Sequence, residues 1–134
     1  IITATCCLNC VSFQETAWSK FTTDGKSEIY NWDEPFEDEV YFTDDEFNSF
    51  LANPYVLSKQ PVPVFFGTGS DIVHTVGGMP NWVQDSDYRE CPDCGKTMKF
   101  LGQIQWSPLT DGEGTLFIEI CPECSIIAML HQQT

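Results

Sequence analysis

Cys91-Pro92-Asp93-Cys94-Gly95 is answered, across residues 95–120, by Cys121-Pro122-Glu123-Cys124. Two Cys-x-x-Cys hooks at this separation are what a tetrahedral four-cysteine zinc site requires. Two residues between the sulfurs let one tight turn aim both at a single ion. Pro92 fixes φ at the first turn position, and Gly95 suits the backbone just after the second sulfur, where a positive φ is often needed. The intervening stretch is long enough to run out as one strand and back as another. The expected metal ligands are therefore Cys91, Cys94, Cys121 and Cys124, holding a Zn²⁺ that clamps a C-terminal hairpin. Four thiolates leave no open coordination position, so the expected role of the ion is structural. The competing reading is four unliganded core or redox cysteines.

Working outward, Thr97 to Trp106 alternates as a strand should, and Ser107 to Gly114 is a polar loop. Thr115 to Ile120 returns as the partner strand, and Ile126 to Leu130 reads as a last strand or helical turn. Upstream, Gly77-Gly78-Met79-Pro80 is a turn. Ile72 to Val76 and Val64-Phe65-Phe66 are candidate short strands. Asp24-Gly25 is a hairpin signal, flanked by Phe13, Trp18 and Phe21 before it and Ile29, Tyr30 and Trp32 after it. Residues 1–11 read as a strand. One short helix is expected over about 43–53: Thr43 and Glu46 form a capping box, Phe47, Phe50 and Leu51 follow at helical spacing, and Asn53-Pro54 stops it. The fold class expected is α+β, β-rich and mainly antiparallel, with residues 1–134 as a single zinc-stabilised domain. The absence of an initiator Met fits the C-terminal part of a longer protein.

Charge bounds the function. Of 134 residues, 6 are Lys or Arg and 20 are Asp or Glu, for a net charge of −14. Nucleic acid and anionic membrane both need a basic footprint, so neither is expected as a partner. A basic protein partner suits this surface, although an acidic surface also serves solubility alone. The densest run spans residues 33–46, where Glu37, Asp38, Glu39, Asp44 and Asp45 surround Tyr41. Charge there would steer an encounter and aromatic side chains would anchor it. The bland alternative is a capped helix start with solvent-facing charge.

Seven cysteines in Cys-x-x-Cys pairs, with Cys6 left over, read as a reducing compartment, hence a cytoplasmic protein, rather than a secreted disulfide framework. Cys7 and Cys10 are a candidate second metal or redox site. No spacing argument brings His74 or His131 to them, and buried thiols in a strand are the simpler reading. No nucleophile or metallohydrolase motif is present, so an enzyme is not expected.

His74-Thr75-Val76-Gly77-Gly78-Met79-Pro80-Asn81-Trp82-Val83-Gln84 resembles the His-x-x-Gly-Gly-x-Pro-x-Trp-x-Gln signature of YwqG-like bacterial proteins of unknown function. Residues Cys91 to Ile104, then Gly112-Glu113-Gly114 and the second hook, look like the segment after that signature in zinc-binding members. A more distant similarity is to the programmed cell death protein 2 group, through the Gly-Gly-x-Pro-x-Trp element and paired cysteine hooks. The first resemblance implies a mostly antiparallel β fold, and the second implies chaperone-like binding of a basic ribosomal protein. Neither supplies catalytic residues. Residues and resemblance together lead to a non-catalytic protein-binding module, in its most concrete form an acidic immunity or inhibitor protein covering a basic toxin or effector. The alternatives are a thiol–disulfide redox protein using Cys7 and Cys10, a structural domain, or a chaperone-like binder of a basic protein.

Overall fold

In a computed structural model of the chain, the described residues are 1–7, 11, 16–30, 43–45, 48, 52, 74–106 and 113–133. They build one antiparallel sheet of six strands: β1 (Ala17–Phe21), β2 (Ser27–Ile29), β3 (His74–Val76), β4 (Lys99–Gln105), β5 (Thr115–Cys121) and β6 (Ile126–Gln132). Their order across the sheet is β2-β1-β6-β5-β4-β3. The C-terminal meander β4-β5-β6 forms the centre, and the N-terminal hairpin β1-β2 adds on beyond β6.

The β-rich antiparallel expectation holds. The strand after the first hook, its partner and the last apolar run appear as β4, β5 and β6. The Asp24-Gly25 hairpin appears as β1-β2, with Gly25 at φ 84° and its N–H bonded to Thr22 O at 3.1 Å. Two expectations differ. Residues 1–7 form no strand; instead Thr3 Oγ1 donates to Gly25 O at 2.9 Å and Thr5 N to Ser19 Oγ at 3.0 Å. The segment is thus tied across the hairpin by side chains, because its Thr hydroxyls compete with ladder pairing. The helix expected over about 43–53 is not established as an element. Asp44, Asp45, Asn48 and Ala52 have helical backbone, but the rest of that stretch lies outside the described residues. So does the candidate strand at residues 64–66.

Strand alternation sorts the sheet's two faces. On one face Ala17, Leu116, Ile127 and Met129 bury themselves with Val11 and Trp106. On the other, Ile126, Ala128 and Cys121 pack with Cys91 and Met98, against Trp18 and Tyr30. Strand β6 is buried along its full length, as a central strand covered on both faces must be. The second face is covered by the chain between β3 and β4, which carries the first hook.

Candidate metal centre

Each hook is a tight turn with the same backbone signature. In the first, Gly95 N donates to Cys91 O at 2.8 Å and Cys91 N to Lys96 O at 2.9 Å. Gly95 takes φ 68°. In the second, the same position is Ser125, at φ 58°, the only non-glycine with positive φ among the described residues. The second hook is itself the turn joining β5 to β6, whose last paired residues are Cys121 and Ile126. The clamp therefore joins the β5-β6 turn to the chain entering β4, rather than closing the end of a single hairpin.

The sulfurs of Cys91, Cys94, Cys121 and Cys124 all lie within 4.8 Å of one another. Cys94 Sγ and Cys121 Sγ are 3.8 Å apart, and all four thiols are free. A disulfide would hold two sulfurs at about 2.05 Å. A tetrahedral ion with metal–sulfur bonds of about 2.3 Å would hold them about 3.8 Å apart. The observed spacing is the second. Cys91 and Cys121 are buried, Cys124 is partly buried and Cys94 is exposed.

The electrostatics point the same way. Burial works against ionising Cys91, but the Cys94 and Asp93 amides that donate to its sulfur prevail and hold its pKa below the usual thiol value. Burial raises Cys121. The neighbouring Cys94 thiol, with burial behind it, pushes Cys124 up to about 12. Four thiols this close cannot all ionise unless a cation offsets their mutual repulsion. The donor set fits a tetrahedral metal ion.

Around the sulfurs, Lys96 Nζ bridges to Glu123 Oε2 at 2.5 Å, linking the two hooks. Asp93 turns the other way. It accepts from Tyr30 Oη and pairs with Lys20 Nζ at 3.3 Å. The Tyr30 hydroxyl, aided by Lys20, holds the Asp93 carboxyl below its ordinary range.

A second cluster holds the chain that leads into the first hook. Gln103, Glu119 and Gln132 are buried polar residues on β4, β5 and β6. Each accepts one backbone N–H from the covering segment: Asn81 N to Gln103 Oε1 at 2.8 Å, Arg89 N to Glu119 Oε2 at 2.9 Å, and Gln84 N to Gln132 Oε1 at 3.1 Å. Trp82 lies on Phe117, with ring centroids 4.4 Å apart, and meets Tyr88 edge-on at 5.3 Å. The Gly77-to-Gln84 stretch is thus a stacked and hydrogen-bonded lid on the sheet. Burial raises the Glu119 carboxyl to about 7. Sequence reading missed these three anchors, although a lone Glu in the apolar run Leu116 to Cys121 was a usable signal.

Of the other expected site residues, Asp44 and Asp45 are exposed. Glu37, Asp38, Glu39 and Tyr41 lie outside the described residues, as does Cys10. Cys7 is in a disulfide, and Cys6 is a partly buried thiol that burial pushes up to about 11.

One curated relative shares part of this chain. It is an uncharacterized protein, YpfL, of Salmonella typhimurium (strain LT2), 45% identical over 62 residues. The match covers 44% of this chain and 15% of that protein, so it leaves most of the relative's length unmatched. No protein-family profile matches the chain, and no solved structure matches it. Among the described residues, no helix is long and apolar enough to cross a membrane.

Proposed function

We propose that the chain is a non-catalytic protein-binding module held in shape by one structural Zn²⁺ on Cys91, Cys94, Cys121 and Cys124. The observation that carries the metal part is the 3.8 Å sulfur spacing within a closed four-thiol set. Zn²⁺ takes four thiolates in structural sites, and such a set has no position left for substrate. The partner part rests on the net charge of −14, which favours a basic protein. In its most specific form the module is an immunity or inhibitor protein covering a basic toxin or effector in the cytoplasm. The His74-to-Gln84 signature supports grouping it with the YwqG-like proteins. Glu37, Asp38, Glu39, Tyr41, Asp44 and Asp45 are the proposed docking residues.

Co-purification with basic proteins encoded beside it, at low and high salt, tests the partner. A complex that weakens with salt, and with Glu37→Gln, Asp38→Asn and Glu39→Gln together, supports this reading. A salt-insensitive complex, or none, removes it.

A second reading, thiol–disulfide exchange at Cys7 and Cys10, is favoured by one observation. Cys7 is disulfide-bonded, the oxidised state through which an exchanging Cys-x-x-Cys pair cycles, and its carbonyl accepts the Val11 N–H at 3.2 Å. Insulin reduction by the chain and by Cys7→Ser decides it: equal background rates exclude exchange.

A further inference from the structure

We propose that the β1-β2 hairpin is a metal-dependent element, docked onto the sheet through the first hook and released when the ion leaves. The proposal rests on the metal reading above, and its test separates the two.

The two hooks share the pattern Cys-Pro-acid-Cys, but their acids do different jobs. Glu123 pairs with Lys96, a contact internal to the clamp. Asp93 reaches out to Lys20 in β1 and Tyr30 just past β2, two residues far from it in sequence. Lys20 Nζ also sits 4.8 Å from the centroid of the Tyr30 ring, so the three side chains form one contact. A fourth link is backbone: Phe21 N donates to Ser125 O, in the second hook, at 2.9 Å. Beneath them Trp18 and Tyr30 pack on the buried cluster that contains Cys91 and Cys121, against which Cys124 also lies. The hairpin therefore touches both hooks by polar contacts and rests, by apolar ones, on the cluster to which two of the ligands belong.

Each contact alone is weak. The Lys20–Asp93 pair is partly exposed, with the side chains at 39% and 32%, and such pairs contribute little by themselves. Their common requirement is that both hooks hold their turns at the same time. Without an ion, four crowded thiols have no reason to stay together, and Asp93 and Ser125 lose their fixed positions. Ladder pairing with β6 then holds a two-stranded hairpin, whose second strand has three residues and which is marginal alone. By linkage the coupling is reciprocal: whatever loosens the hairpin lowers metal affinity.

The test is amide hydrogen exchange of the full chain, read at Phe21 and Tyr30, beside metal stoichiometry and Co²⁺ affinity from the thiolate absorption. In the metal-loaded protein both amides should be protected, and chelation should speed their exchange at least about tenfold more than that of the β5 amides. Asp93→Asn and Tyr30→Phe, still loaded, should speed Phe21 exchange and weaken Co²⁺ binding by about tenfold, the lower range for outer partners of a metal site. Glu123→Gln, still loaded, should speed Phe21 exchange less than Asp93→Asn does, because Glu123 has no contact with the hairpin among the described residues. Where chelation unfolds the whole domain, the loaded variants decide. A protein that binds one metal ion while hairpin exchange stays unchanged in Asp93→Asn and Tyr30→Phe overturns the coupling and leaves the metal reading standing. A protein that binds no metal overturns both.

Discussion

Gly95 and Ser125 occupy the same position in the two hooks, one residue past the second cysteine, and both take the left-handed conformation, at φ 68° and 58°. The turn imposes that conformation whatever residue stands there. A side chain with a Cβ takes it at a penalty of about 1–2 kcal/mol, and glycine does so freely. Among the described residues nothing lies within 4 Å of a Cβ built on Gly95, so the penalty there is conformational. Gly95→Ala should destabilise by about 1 kcal/mol, and Ser125→Gly should be neutral or stabilising, both measured by urea denaturation. Equal losses in the two variants would mean that the hooks are not equivalent.

Gly102 is fixed by space. It lies just past a break in the β4-β5 register between Phe100 and Gly102, and a Cβ there would come 2.5 Å from Thr75 O in the adjacent edge strand. The obstacle is backbone, so β3 must move. Gly102→Ala should cost about 1–3 kcal/mol, as overpacking does, with faster amide exchange confined to residues 74–76. Unchanged stability would place β3 further from β4 than its ladder indicates.

Trp82 is the apolar anchor of the covering segment, stacked on Phe117. It is only partly buried, so Trp82→Ala should cost about 2–3 kcal/mol, below the range for a fully buried aromatic. Because this lid leads into the first hook, metal affinity should fall with it. A loss of stability with unaltered metal affinity would separate lid from clamp.

His131 makes stability depend on pH. Burial holds its pKa below the ordinary histidine value, partly opposed by the Glu113 carbonyl, which lies 2.8 Å from Nε2. Its Nδ1 is buried with no hydrogen-bond partner among the described residues. The unfolded chain therefore takes up this proton first as pH falls below about 6.5. The histidine contributes full stability above that value and loses it progressively as pH drops toward the lower folded pKa. Denaturation of His131→Gln beside the parent, from pH 7.5 to 5, should show the gap between them narrowing toward acid. A gap that widens would reverse the sign and require a protonated His131 in the fold.

How much of this was readable in the residues depends on how local each signal was. The hooks and the Asp-Gly hairpin declare themselves within a few positions, because turn chemistry is short-ranged. The alternation of Thr97 to Trp106 and Thr115 to Ile120 gave the β4-β5 pair for the same reason. Attachment of β1-β2 beyond β6 was not readable, since it depends on pairs such as Trp18 with Ala128, far apart in the chain and without a distinctive residue type. The segment at 1–7 failed as a strand because its apolar run misled, whereas Thr3 and Thr5 decide its path. Ser125 concealed a left-handed turn that Gly95 advertised. The acidic anchors of the site divide in the same way: Glu123 serves its own clamp, and only folding reveals that Asp93 serves a hairpin.

The central claim is that Cys91, Cys94, Cys121 and Cys124 share one metal ion. Its most direct measurement is elemental analysis of the protein purified without added metal, combined with thiol titration under native conditions. One zinc per chain, with those four thiols protected until a chelator is added, is the predicted result. A zinc content near zero, with the four thiols titrating freely in a folded protein, would contradict it.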